Sequence, residues 1–185
     1  HTSLGGVYAR PDCSTGAEGL FVCGETLGGL HGANRIGGNA GLETMVFGRR
    51  AGCSAAAYMD TLSGEPADCT DEISDAAATV NIDALRAELT KIVGGALGVI
   101  REAGKLEQAK TELERMLEQI PESGCYAQQR LRNDTLTAYA VTLAALERKT
   151  STGCHVRTDS AGEPEKYRVN IRCENGRAVP RRAEI

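Results

Sequence analysis

Tryptophan is absent from the 185 residues, and only two phenylalanines and five tyrosines are present. A core with so few rings has to be built from Leu, Ile, Val and Ala. No apolar run approaches the roughly 20 residues that cross a bilayer as a helix. An excess of positive charge is missing too. The 21 Lys and Arg face 25 Asp and Glu, a formal net charge of −4. That balance excludes a dedicated nucleic-acid binder, whose affinity needs a basic surface. Seven cysteines stand at 13, 23, 53, 69, 125, 154 and 173, without a C-x-x-C or any zinc-type spacing. They read as reduced, mostly buried, small apolar residues of a cytoplasmic protein with no metal site. Neither GxGxxG nor a P-loop spacing occurs.

What the chain does have is glycine, unevenly placed. Fourteen of the 22 glycines fall within residues 1–64. There the sequence reads as strand, loop and helix. Leu20–Cys23 (LFVC) is a short apolar run between Gly19 and Gly24, the pattern of a buried strand. The stretch GETLGGLHGANRIGG is too glycine-rich for regular structure. From about Ala40 to Met59 the chain reads as a helix rich in Ala and Gly. Residues 63–80 are polar, with turn formers, and read as a linker.

Residues 81–160 are helical on pattern. Ile82, Leu85, Leu89, Ile92/Val93, Leu97 and Ile100 keep a spacing of three to four, and Asn81 is a suitable cap. Leu106, Ala109, Leu113, Met116/Leu117 and Ile120 repeat the pattern until Pro121 stops it. Leu136, Tyr139/Ala140, Leu143 and Leu146 form a third stripe, with Asn133 as its cap. Three such helices make a small bundle. Gly94, Gly95 and Gly98 weaken the first of them, which points to close approach of another backbone there. In the tail, 161–185, Tyr167–Cys173 alternates before Glu174-Asn175-Gly176-Arg177, the signal of a β-hairpin. The fold class expected is therefore α+β.

A glycine-rich loop between a strand and a helix lets backbone N–H groups approach a ligand, and the helix N-terminus adds partial positive charge. GGNAGLE at 37–43 has that layout. On spacing alone it is equally the layout of a bare glycine-rich turn. The combination is more specific: Gly24-Glu25, then HGANR (31–35), GGN (37–39) and FGRRAG (47–52) at short fixed distances. This series resembles the second flavin-binding segment of the fumarate reductase, succinate dehydrogenase and L-aspartate oxidase flavoproteins. His1-Thr2-Ser3-Leu4-Gly5-Gly6-Val7 is similar to that family's H-Y-T-x-G-G stretch. Leu143–Asp159 resembles the end of its helical domain, keeping Gly153, His155, Arg157 and Asp159 but placing Thr150 and Thr152 where the family has Glu and Arg.

The resemblance implies that 1–62 is the C-terminal segment of an FAD-binding, Rossmann-like domain and 81–160 a helical domain. It implies FAD as cofactor and hydride transfer between flavin and a small dicarboxylate. Gly24, Glu25, Asn39, Ala40, Gly41 and Leu42 would contact the flavin, with Glu25 accepting from ribose hydroxyls. Arg35 would clamp a substrate carboxylate, joined by His1 and Ser3; His1 and Arg35 are the catalytic candidates. Other residues have plainer readings: His31 bracing its loop, His155 and Arg157 bracing the helical domain. The pyrophosphate-binding unit and capping domain of the family are not found in these residues. The chain therefore reads as the C-terminal portion of a larger flavoprotein. Its partners would be that missing N-terminal portion and an iron-sulfur electron-transfer subunit, through which it would reach a membrane. Two other readings stay open: amino-acid oxidation of the L-aspartate oxidase type, and a non-catalytic helical docking module.

Overall fold

Leu106, Ala109, Leu113, Met116 and Ile120 recur at alternating steps of three and four, and each is at most 3% exposed. The computed structural model describes residues 4–32, 35–64, 78–160, 162–163 and 165–184, and this stripe is the centre of its helical part. The chain divides into two compact units, His1–Cys69 and Thr70–Ile185. Among the described residues there are four helices, α1 (Asn39–Met59), α2 (Ile82–Ala96), α3 (Ala103–Gln119) and α4 (Tyr126–Glu147). Two small sheets accompany them, β1 (Ile100–Arg101) with β2 (Val156–Arg157), and β3 (Tyr167–Glu174) with β4 (Arg177–Glu184). None of the described helices is long and apolar enough to cross a membrane.

In the second unit, Asn81 caps α2, its Oδ1 accepting from the Ala84 N–H at 3.1 Å. Leu89, Ile92 and Ala96 of α2 pack with the α3 stripe and with Leu131 and Ala138 of α4. Helix α2 stops at Ala96, short of the end its stripe suggested, and Ile100 is exposed in β1. Gly94, Gly95 and Gly98 are also exposed, and no described atom lies within 4 Å of where a Cβ would sit. The close approach expected of them is therefore not made among the described residues. They act as helix weakeners that end α2.

Helix α4 departs further from expectation. It begins at Tyr126, seven residues before Asn133, which lies inside the helix as an exposed residue. Its buried face is Gln128, Leu131, Thr135, Ala138, Thr142 and Ala145, with Leu143 beside it, whereas Leu136 is exposed. Hydroxyl residues at core positions hide the periodicity. Thr135 and Thr142 donate to the carbonyls of Leu131 and Ala138, both at 2.8 Å, so neither hydroxyl is left unpaired.

The hairpin forms at the expected place, with β3 and β4 antiparallel in register from Tyr167↔Glu184 to Glu174↔Arg177. It lies on α4 through Tyr167. That ring sits between two guanidiniums, with Arg148 Cζ 4.2 Å and Arg182 Cζ 4.6 Å from its centroid. Its hydroxyl donates to the Glu147 carbonyl at 3.3 Å, and Arg182 Nε donates to the Glu147 carboxylate at 2.5 Å.

One short segment ties the helix ends together. The Arg157 guanidinium donates twice to Asp159, at 2.8 Å each, and also to the carbonyls of Ala145 and Arg148, both at 3.1 Å. Asp159 in turn accepts the Ala103 N–H at 2.8 Å. A cation thus meets the negative end of α4, and an anion the positive end of α3. This pairing holds the Asp159 carboxyl well below the usual carboxylate range. His155 Nε2 lies 3.0 Å from the Arg148 carbonyl and Nδ1 lies 2.9 Å from Arg101 Nη1. A carbonyl only accepts, so Nε2 carries the hydrogen and Nδ1 accepts from Arg101: the ring is neutral. Arg101 also donates to the carbonyls of Gly98 and Leu97, just past α2 and at its C-cap.

The first unit is held differently. Leu20–Cys23, expected as a strand, forms no ladder among the described residues; Phe21 makes an isolated antiparallel bridge with Ser14. A parallel bridge joins Val7 to Leu27, with Val7 N–H donating to Thr26 O at 2.8 Å and Gly28 N–H to Val7 O at 2.9 Å. Gly6 and Gly28 face each other there, and a Cβ on Gly28 would stand 2.7 Å from the Gly6 carbonyl oxygen. The cysteines also differ from expectation. Only Cys13 is buried among the six described, all of them free thiols; Cys23, Cys53 and Cys173 are exposed. Cys53 and Cys173 occupy exposed positions of α1 and β3.

Two outcomes are expected. Gly28→Ala forces backbone apart and should destabilise the first unit by about 1–3 kcal/mol. Gly16→Ala, at a site with open space, should be close to neutral; denaturant melts of both variants check this. Burial holds the His155 pKa below its ordinary value, and the nearby Arg101, Arg157 and Arg148 charges act in the same direction. The unfolded chain therefore binds the proton more readily. Stability is full above about pH 6.5 and falls as pH drops through the unfolded pKa toward the folded one. Melting temperatures between pH 8 and 5 should show this fall, and it should be shallower in His155→Gln, whose amide can serve the same two partners.

Candidate functional site

Gly38 turns the chain into α1 with φ 89° and ψ −30°, a left-handed conformation that glycine adopts without a Cβ clash. No side chain caps this end, and the first turn of α1 holds no acid. Asn39 N–H reaches the Ile36 carbonyl at 3.3 Å. Asn39, Gly41 and Leu42 are exposed and Ala40 is half-buried. The first turn therefore presents N–H groups and a partial positive charge, with neither a side-chain cap nor a first-turn acid to offset it.

Gly24–Thr26 form a short 3₁₀ turn that packs against α1 and carries the exposed Glu25. The Val7–Leu27 bridge anchors the end of this turn to Leu4–Val7. The structure thus places the Gly24-Glu25 turn against the helix that carries Asn39–Leu42. Arg35, just ahead of α1, is half-buried and makes no hydrogen bond or ion pair among the described residues. A guanidinium held in that state is available to an incoming anion. His1 and Ser3, the other substrate candidates, lie outside the described residues, as do Ala33 and Asn34 of the HGANR loop.

One residue escapes a reading of the sequence. Glu43 is 8% exposed, with Oε2 3.8 Å from His31 Nε2 and Oε1 buried without a hydrogen-bond partner among the described residues. The available signal is its place in the second turn of a helix otherwise poor in acids. Nearby, the Cys13 thiol donates to the Phe47 carbonyl at 3.7 Å, and burial pushes its pKa up. It is a packed thiol, not a nucleophile. No group of three or more His, Cys, Asp or Glu is placed to hold a metal ion among the described residues.

Comparison with known proteins bears on this arrangement. The family described as fumarate reductase flavoprotein C-term matches residues 86–170. An uncharacterised FAD-dependent oxidoreductase of Methanocaldococcus jannaschii is 35% identical, over 92% of this chain and 34% of its own length. The matching subunit of the fumarate reductase (CoM/CoB) of Methanothermobacter marburgensis is 33% identical, over 86% of this chain and 32% of its own. Among solved structures, Mycobacterium smegmatis Sdh1 in complex with UQ1 superposes with a TM-score of 0.76 at 29% identity, covering 97% of this chain and 35% of that one. The chain spans about a third of the length of these relatives. Its match on both sides of the 63–80 stretch, in sequence and in fold, agrees with the order of the glycine, HGANR and helical-domain motifs. In sequence and in fold the chain resembles the C-terminal portion of the fumarate reductase, succinate dehydrogenase and L-aspartate oxidase flavoproteins.

Proposed function

We propose that this chain supplies the C-terminal part of an FAD-dependent oxidoreductase that moves hydride between flavin and a small dicarboxylate. The observation that carries the proposal is the uncapped N-terminus of α1, four residues after an Arg35 that makes no hydrogen bond or ion pair among the described residues. The residues present fit the cofactor. An uncapped, acid-free helix end suits the pyrimidine edge, where reduction places negative charge, and raises the electron affinity of a bound flavin. Space remains open around Gly37, Gly38 and Gly41, where a ligand can approach the backbone. The N–H groups of Asn39, Ala40, Gly41 and Leu42 would face that edge. Gly24 lets the chain turn so that Glu25 can accept from a ribose hydroxyl pair.

FAD, when bound, supplies the hydride chemistry. The chain's own residues hold the substrate. Arg35 grips one carboxylate through two parallel N–H bonds, and His1 and Ser3 hydrogen-bond the dicarboxylate beside it. In this proposal residues 1–62 are the C-terminal segment of the FAD-binding domain, 63–80 a linker, 81–160 the helical domain and 161–185 its hairpin tail. The rest of the FAD-binding domain and the capping domain would complete the site, an iron-sulfur subunit would exchange electrons, and membrane association would come through partners.

In the complete flavoprotein, Arg35→Lys should lower turnover of a dicarboxylate on the order of 100-fold while flavin content stays normal. A point charge cannot orient a planar carboxylate, and a misplacement of about 1 Å is enough for such a loss. Unchanged kinetics would remove Arg35 from the site. The 185 residues on their own should bind FAD weakly, since no pyrophosphate cradle of the GxGxxG type is among them. Fluorescence titration checks this, and a stoichiometric yellow complex would contradict it.

A further inference from the structure

Helix α1 is 21 residues long, yet Glu43 and Ala51 are its only buried residues, while Leu42, Met45 and Val46 are exposed. Burying an acid where leucine and methionine stay outside is unfavourable unless the charge is paired. The contact found is with His31, whose Nε2 lies 3.8 Å from Oε2, longer than a hydrogen bond, while Oε1 is buried with no donor among the described residues. His31 opens the loop that ends in Arg35. Among its described residues little else fixes that loop. From residue 29 to the start of α1, the described backbone contributes one hydrogen bond, Asn39 N–H to Ile36 O. The face that buries Glu43 is itself firm, because one turn along it the buried Cys13 thiol meets the Phe47 carbonyl.

We propose that Glu43 is a positioning residue: its buried carboxylate tethers His31, and through that loop sets the direction from which Arg35 meets a substrate carboxylate. Arg35 itself makes no hydrogen bond or ion pair among the described residues, so it is open to a ligand. Glu43 touches neither substrate nor cofactor in this role. The inference rests on Arg35 being the carboxylate clamp, and the experiment separates the two ideas.

In the complete flavoprotein, Glu43→Gln keeps the size of the side chain and removes its charge. The KM for the dicarboxylate should rise about tenfold, with flavin content and melting temperature close to wild type. Glu43→Asp, which keeps the charge, should recover part of that loss. His31→Gln cuts the same tether, so the double variant should lose no more than the worse single variant. Hydrogen exchange on the 185-residue chain provides a second readout. Glu43→Gln should speed amide exchange in residues 29–36 and leave 48–59 unchanged. Unchanged exchange in 29–36, additive losses in the double variant, or flavin loss in step with turnover would each overturn the proposal. The exchange measurement needs no turnover, so it still decides the tether if the dicarboxylate reading fails.

Discussion

The fork between Arg157 and Asp159 is the interaction on which the second unit depends. Helices leave carbonyls bare at one end and N–H groups bare at the other. Three helices meeting at a short connection would bury several such groups. Arg157 satisfies the end of α4, Asp159 the start of α3, and the two side chains satisfy each other. Arg101 does the same for the end of α2 and is held by His155. The α3 stripe can then pack without orphaned polar groups at its margins.

The first unit has the opposite character. Its long helix leaves its N-terminus uncapped and much of its apolar surface open, and it buries an acid. Each of these features opposes stability in isolation. Together they mark a surface on which the usual local rules of helix capping and burial are overridden.

Much of this is legible in the sequence, for identifiable reasons. The α3 stripe is built from aliphatic residues, so its period survives in the letters. Asn-Gly announces the hairpin because few other pairs make so tight a turn. The α4 face misleads because Thr135 and Thr142 look polar until their hydroxyls are seen bonding back into their own helix. Leu20–Cys23 looks like a strand because an apolar run between glycines carries no information about whether a partner strand exists. The order of the site motifs is legible, but the tie between Glu43 and His31 is not. Residues twelve apart that meet across a loop leave no periodic trace.

The way the hairpin is attached has a consequence for solution behaviour. Leucines join α2, α3 and α4, whereas Tyr167 is held to α4 between the guanidiniums of Arg148 and Arg182, with Glu147 as anchor. Ion pairs and cation–π contacts at a half-exposed surface weaken as ionic strength rises, while aliphatic packing hardly responds to it. Added salt therefore loosens the last strands of the molecule selectively. The chain carries two kinds of adhesion within one unit, and brine and heat would take it apart in different orders.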